Sequence, residues 1–119
     1  YEAQGLGKIY HVGHGNVDDE ASWSLPSWRP KAPSYVLKSN LVKMTVDKNG
    51  KKRGPATESA DVDDETYADG QIAREAIVRL GAASASPDQP FFLAVGFMKP
   101  HLPFVAPKRY WDLYDPQSL

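Results

Sequence analysis

Two short stretches carry the residue types that a site for a negatively charged ester requires. Gly7-Lys8-Ile9-Tyr10-His11 lies near the start, and Phe91-Phe92-Leu93-Ala94-Val95-Gly96-Phe97-Met98-Lys99-Pro100-His101-Leu102-Pro103-Phe104 near the end. Each puts a lysine and a histidine where a buried strand gives way to a loop. An ammonium is a compact positive charge suited to the oxygens of a tetrahedral anion, and an imidazole can pass a proton near neutral pH. Lys8, His11, Lys99 and His101 are therefore the candidate site residues. The complementary group is missing: the chain has no cysteine, and none of its serines stands in the setting of an activated nucleophile.

The elements that must position these groups follow from pattern. Thr66 has the character of a helix cap, with Asp69 three residues on, and Ile72, Ala73, Ala76, Ile77 and Leu80 recur at helical spacing, which predicts a helix from about Thr66 to Ala83. The continuous apolar run Phe91–Val95 predicts a strand covered on both faces, central in a layered α/β sheet. Pro100, Pro103 and Pro107 stop it and hold the following segment extended, so Lys99 and His101 fall just past its carboxyl end, where open α/β sheets bind ligands. Residues 1–36 read as an irregular segment whose Trp23, Trp28 and Tyr35 must pack on something, since that much aromatic surface is costly to leave in water. Residues 37–65 read as a surface excursion. It holds an alternating stretch, Leu41–Val46, and a hairpin turn at Asn49-Gly50. Lys108–Tyr114 reads as a short surface helix with docking aromatics and no chemistry.

Composition sets the remaining bounds. A chain of 119 residues with 41% apolar content can build one core, as a domain or part of one. Fourteen basic against fifteen acidic residues leave a formal charge of −1, so no bulk electrostatic drive toward nucleic acid or a membrane surface exists. No apolar run is long enough to span a bilayer, and Tyr1-Glu2-Ala3-Gln4 lacks the regions of a signal peptide. Without an initiator methionine, the chain reads as an excerpt of something longer. The absence of cysteine leaves the compartment open.

In its motifs the chain resembles the formylglycine-dependent sulfatases of the alkaline-phosphatase-like superfamily, and within them the iduronate-2-sulfatase group. The resemblance rests on Gly7–His11, on Asp18-Asp19 leading to Ser22-Trp23-Ser24-Leu25-Pro26, on the acidic approach to the helix near Gln71–Leu80, and on Pro90 through Phe104. It implies an α/β fold, as an incomplete domain of an alkaline-phosphatase-like sandwich with a mostly parallel central sheet flanked by helices. It also implies a parent enzyme that hydrolyses sulfate esters, with a sulfated carbohydrate as substrate, a 2-O-sulfated uronic acid favoured, and the remainder of the sulfatase chain as partner. By the same resemblance Lys8 contacts sulfate oxygens, His11 orients the hydrated aldehyde nucleophile, and His101 contacts the sulfate and the leaving oxygen as general acid. Lys99 helps attract an anionic sugar. Formylglycine and a calcium ion are implied for the parent, both held outside this segment: no Cys/Ser-x-Pro-x-Arg motif occurs, and Ser84-Ala85-Ser86-Pro87 has neither its spacing nor its arginine. The segment alone is therefore expected to be inactive, and a periplasmic, secreted or lysosomal setting is implied.

Plainer readings stand beside these. A histidine is more often structural than catalytic, and His14, between Gly13 and Gly15, reads as a loop residue. Paired carboxylates such as Asp18-Asp19 suit hard cations, but a solvated loop or helix start is preferred and no metal ligand is assigned. Lys48, Lys51, Lys52 and Arg53 read as a wet hairpin rather than a polyanion-steering patch. A phosphoester or phosphonate hydrolase of the same superfamily, or a non-catalytic carbohydrate-binding fragment using Trp23, Trp28 and Tyr35 to stack on sugars, are the alternatives in function.

Overall fold

The structure, a computed structural model, describes residues 1–11 and 18–118; the reading of His14 lies outside them. The element that organises the chain is a parallel pair of strands drawn from its two ends. β1 (Glu2–Gly7) runs beside β5 (Phe91–Gly96) in a register from Glu2↔Phe91 to Gly7↔Gly96. Parallel neighbours need a long crossover, and it includes the helix α2 (Ala68–Ser84), which packs on both strands. On the other edge of β1, Trp28 forms a parallel bridge with Leu6, receiving the Gly7 N–H at 2.8 Å and donating its own to Gly5 at 2.9 Å. Leu6 and Ile72, both fully buried, and Ala76 form the core between sheet and helix, with Trp28, Leu93 and Met98 packed around them.

A second core lies beside the first. β4 (Thr57–Ala60) pairs in parallel with β6 (Phe104–Pro107), and Tyr35, Ala60, Tyr67 and Val105 are buried between them and the approach to α2. Pro107 occupies the last register position, where its missing N–H disturbs the ladder least. At the centre of this core sits Glu58, 2% exposed. Its carboxylate accepts from the Val36 N–H (2.8 Å), the Leu37 N–H (3.2 Å), the Asn40 amide (3.0 Å) and the Tyr67 hydroxyl (2.6 Å). Four donors answer the demand that a buried charge be hydrogen-bonded. Burial and the bond to Glu58 push the Tyr67 hydroxyl well above its usual pKa, so it remains a neutral donor.

Several expectations change in detail. The helix begins at Ala68 rather than Thr66, because Asp64–Thr66 form a separate 3-10 turn and the cap residue, Tyr67, makes no side-chain capping bond. Ile77 and Leu80 are exposed, since the two-stranded sheet is too narrow to cover the whole apolar face of α2. For the same reason Phe91 and Phe92 of β5 are exposed, and β1 is the one strand paired with β5 among the described residues. The hairpin at Asn49-Gly50 is present with β2 (Thr45–Val46) and β3 (Lys52–Arg53), Gly50 taking the positive φ of 76° that the turn requires. It is shorter than the alternation suggested, because Lys38–Leu41 form one helical turn, α1. The 37–65 stretch is also more than a surface excursion, since it contributes β4 and Glu58 to a core. Residues 99–103 turn rather than extend, and the chain straightens only at Phe104; the Lys99–Pro100 and Leu102–Pro103 peptides are cis. A last short helix, α3 (Lys108–Trp111), docks through Tyr110, whose hydroxyl donates to Asp64 at 2.9 Å, while Trp111 and Tyr114 stay exposed.

Candidate anion-binding groove

The two strand ends approach each other unusually closely. Gly7 has φ +72°, and a Cβ on it would lie 2.2 Å from the Gly96 carbonyl oxygen; one on Gly96 would lie 1.9 Å from the Lys8 carbonyl oxygen. Glycine at both positions permits this contact. The Lys8 N–H then donates to the Gly96 carbonyl at 2.8 Å. One backbone rung therefore ties the start of the Lys8 segment to the start of the Met98–His101 turn.

Past that rung opens a groove of about 320 Å³, lined among others by Lys8, Arg29, Tyr67, Asp69, Lys99 and His101. Lys8, Lys99 and His101 are thus brought to one place from opposite ends of the sequence. His11 is exposed and is not among the lining residues; Tyr10 just before it turns toward Trp23, with ring centroids 6.3 Å apart. The His101 backbone N–H donates to the Met98 carbonyl at 3.0 Å, closing the turn. Its ring Nδ1 lies 2.6 Å from the Leu102 carbonyl oxygen. A carbonyl can only accept, so the proton sits on Nδ1 and Nε2 is the nitrogen left for chemistry. Burial lowers the pKa of the Lys99 ammonium, while the nearby Asp69 charge pulls it back up.

Three contributors went unrecognised in the sequence. In place of the capping role its spacing from Thr66 suggests, Asp69 accepts the Met98 N–H at 2.7 Å and the Lys99 N–H at 3.0 Å, 29 and 30 residues away. Arg29 adds a further cation to the groove wall. The paired glycines are the third, each being the last residue of its strand. Trp23 and Asp18 belong to the scaffold: the Trp23 indole donates to Asp18 Oδ1 at 2.9 Å, and Ser27 donates to Asp18 Oδ2. These bonds, Ser27 first, hold the Asp18 carboxyl below the usual aspartate range. Tyr35 is buried and offers no face for stacking on a sugar, and Trp28 is partly buried against a core. Among the described residues no group of three or more His, Asp or Glu side chains is arranged to hold a metal ion. No helix among them is long and apolar enough to cross a membrane.

Comparison with known proteins decides the family. Over 125 aligned residues the chain is 34% identical to the iduronate 2-sulfatase of Mus musculus, and over 122 residues 32% identical to that of Homo sapiens. Both alignments take in the whole of this chain. The chain is a segment of the iduronate-2-sulfatase-like sulfatases. A sulfatase of Formosa agariphila is 52% identical over 31 residues, 26% of this chain and 6% of that protein. No family model matches. The chain spans 22% of the length of the two iduronate 2-sulfatases, and its α/β architecture of parallel strand pairs and helices is that of a partial alkaline-phosphatase-like sulfatase domain.

Proposed function

We propose that the parent protein hydrolyses a sulfate ester of a carbohydrate and that this chain supplies one wall of its anion site. Breaking such an ester requires compensation of charge on the sulfate oxygens and a proton for the departing sugar oxygen, whose alkoxide is a poor leaving group. Lys8 supplies the positive charge. His101 supplies the proton from Nε2 in its imidazolium form, with Nδ1–H held by the Leu102 carbonyl. Lys99, on the same groove, attracts the negative charge of an acidic sugar. His11 orients the nucleophile, a role that rests on family resemblance alone. The favoured substrate is a 2-O-sulfated uronic acid, after the names of the mouse and human relatives. Formylglycine and calcium belong to other segments of the parent in this reading, and no step is derived through either.

The observation that carries the proposal is the convergence of Lys8, Lys99 and His101 on one groove from strands at opposite ends of the chain. In the full-length parent, His101→Ala is expected to lower kcat on a sulfated uronate disaccharide by about 10²- to 10⁴-fold while substrate binding survives. The 119-residue chain alone is expected to release no sulfate. Turnover by the His101→Ala parent at the unsubstituted rate would refute the assignment.

A further inference from the structure

We propose that Asp69 is a positioning residue of the groove: its carboxylate grips the two consecutive amides that lead into His101 and so sets where the acid and Lys99 stand. The inference rests on the reading of His101 as general acid. Both oxygens are engaged, Oδ1 by the Met98 N–H at 2.7 Å and Oδ2 by the Lys99 N–H at 3.0 Å. Such charge-assisted bonds are stronger and shorter than neutral ones.

What Asp69 is attached to matters equally. It sits in the first turn of α2, where a negative charge is favoured by the helix dipole. That turn has no room to slide, because a Cβ on the next residue, Gly70, would stand 1.9 Å from the Asp64 carbonyl oxygen. The helix is anchored to the sheet by Ile72 and Ala76, in a core to which Asp69 does not belong. A rigid element thus holds the carboxylate, the carboxylate holds Met98 and Lys99, and the Met98 carbonyl receives the His101 N–H at 3.0 Å. Each link is a directional bond, so an error at Asp69 passes along the turn to the imidazole.

Asp69→Asn tests this in the full-length parent. The amide keeps one acceptor oxygen and turns an NH₂ group toward the other backbone donor, so the grip fails on one side. A displaced general acid harms substrates that need protonation of the leaving group far more than those that do not. The expected result is a loss of kcat of roughly tenfold or more on a sulfated uronate disaccharide, but under about threefold on nitrophenyl sulfate, whose phenoxide departs readily and which carries no sugar carboxylate for Lys99, with KM on the nitrophenyl ester changed under about threefold. Equal losses on the two substrates, or none, would overturn the proposal. Asp69→Glu keeps the charge and both oxygens and serves if the asparagine variant does not fold. It is expected to show the same differential at smaller size, and an equal loss on both substrates overturns the proposal there too. His101→Ala is measured alongside. If it also loses both activities equally, the general-acid reading falls; if it shows the differential and Asp69→Asn does not, only the role of Asp69 falls.

Discussion

Replacing Gly96 by alanine tests the close approach on which the groove depends. The new methyl would lie 1.9 Å from the Lys8 carbonyl oxygen, 2.4 Å from its carbonyl carbon and 3.0 Å from the Ile9 nitrogen. All three are backbone atoms, so no side chain can swing aside. The Lys8 segment must retreat by roughly 1 Å, a misplacement that can cost about 10²-fold in rate when it falls on a catalytic group. The retreat also breaks the 2.8 Å bond from Lys8 N–H to the Gly96 carbonyl, a loss of about 1 kcal/mol, within the 1–3 kcal/mol or so typical of an overpacked site. We expect kcat/KM of the parent on a sulfated sugar to fall about 10- to 100-fold, with a drop of a few degrees in Tm by calorimetry. Gly81→Ala is the matched control: nothing lies within 4 Å of its added Cβ, and alanine in place of glycine in a helix is favourable by up to about 1 kcal/mol. Wild-type turnover and Tm in the Gly96→Ala protein would refute the tight register of Gly7 against Gly96.

Two further outcomes follow from the scaffold. Glu58→Gln exchanges an acceptor-only carboxylate for an amide whose NH₂ faces donors, so we expect a loss of about 3 kcal/mol in urea unfolding of the parent domain, and an unchanged midpoint would contradict the four-donor arrangement. The Asp18 carboxyl has its pKa depressed by Ser27 and Trp23, so its contribution is complete above the unfolded-state value near about 3.9 and is lost as pH falls through the lower folded value. The stability gap between Asp18→Asn and the unsubstituted protein should therefore be full at neutral pH and shrink below about pH 4; a gap constant across that range would refute the assignment.

What could be read in the sequence was local. Lys8 and His101 were legible because each falls where a strand gives way to a loop, and the uniform apolar run Phe91–Val95 is a signal of short range. Asp69 and Glu58 were not, since their partners lie 9 to 30 residues away and meet them only on folding. Thr57–Ala60 is polar in composition and becomes a strand only because β6 lies beside it and donors surround Glu58. The helix starts two residues later than the local pattern predicts because Asp64–Thr66 close a 3-10 turn of their own. The pull of the aromatic segment onto a core was foreseeable from area alone, whereas which of Trp23, Trp28 and Tyr35 would vanish inside was not.

The direction in which β1 and β5 run has a geometric result of its own. Because the two strands share one heading, both peptides leave the sheet at the same rim. Reversing either would carry its outgoing residues to the far rim, a six-residue strand or about 20 Å distant. A lysine and a histidine separated by that span could not touch a single sulfate group, so the long detour from Lys8 to Phe91 is what polarity of the chain demands to bring them together.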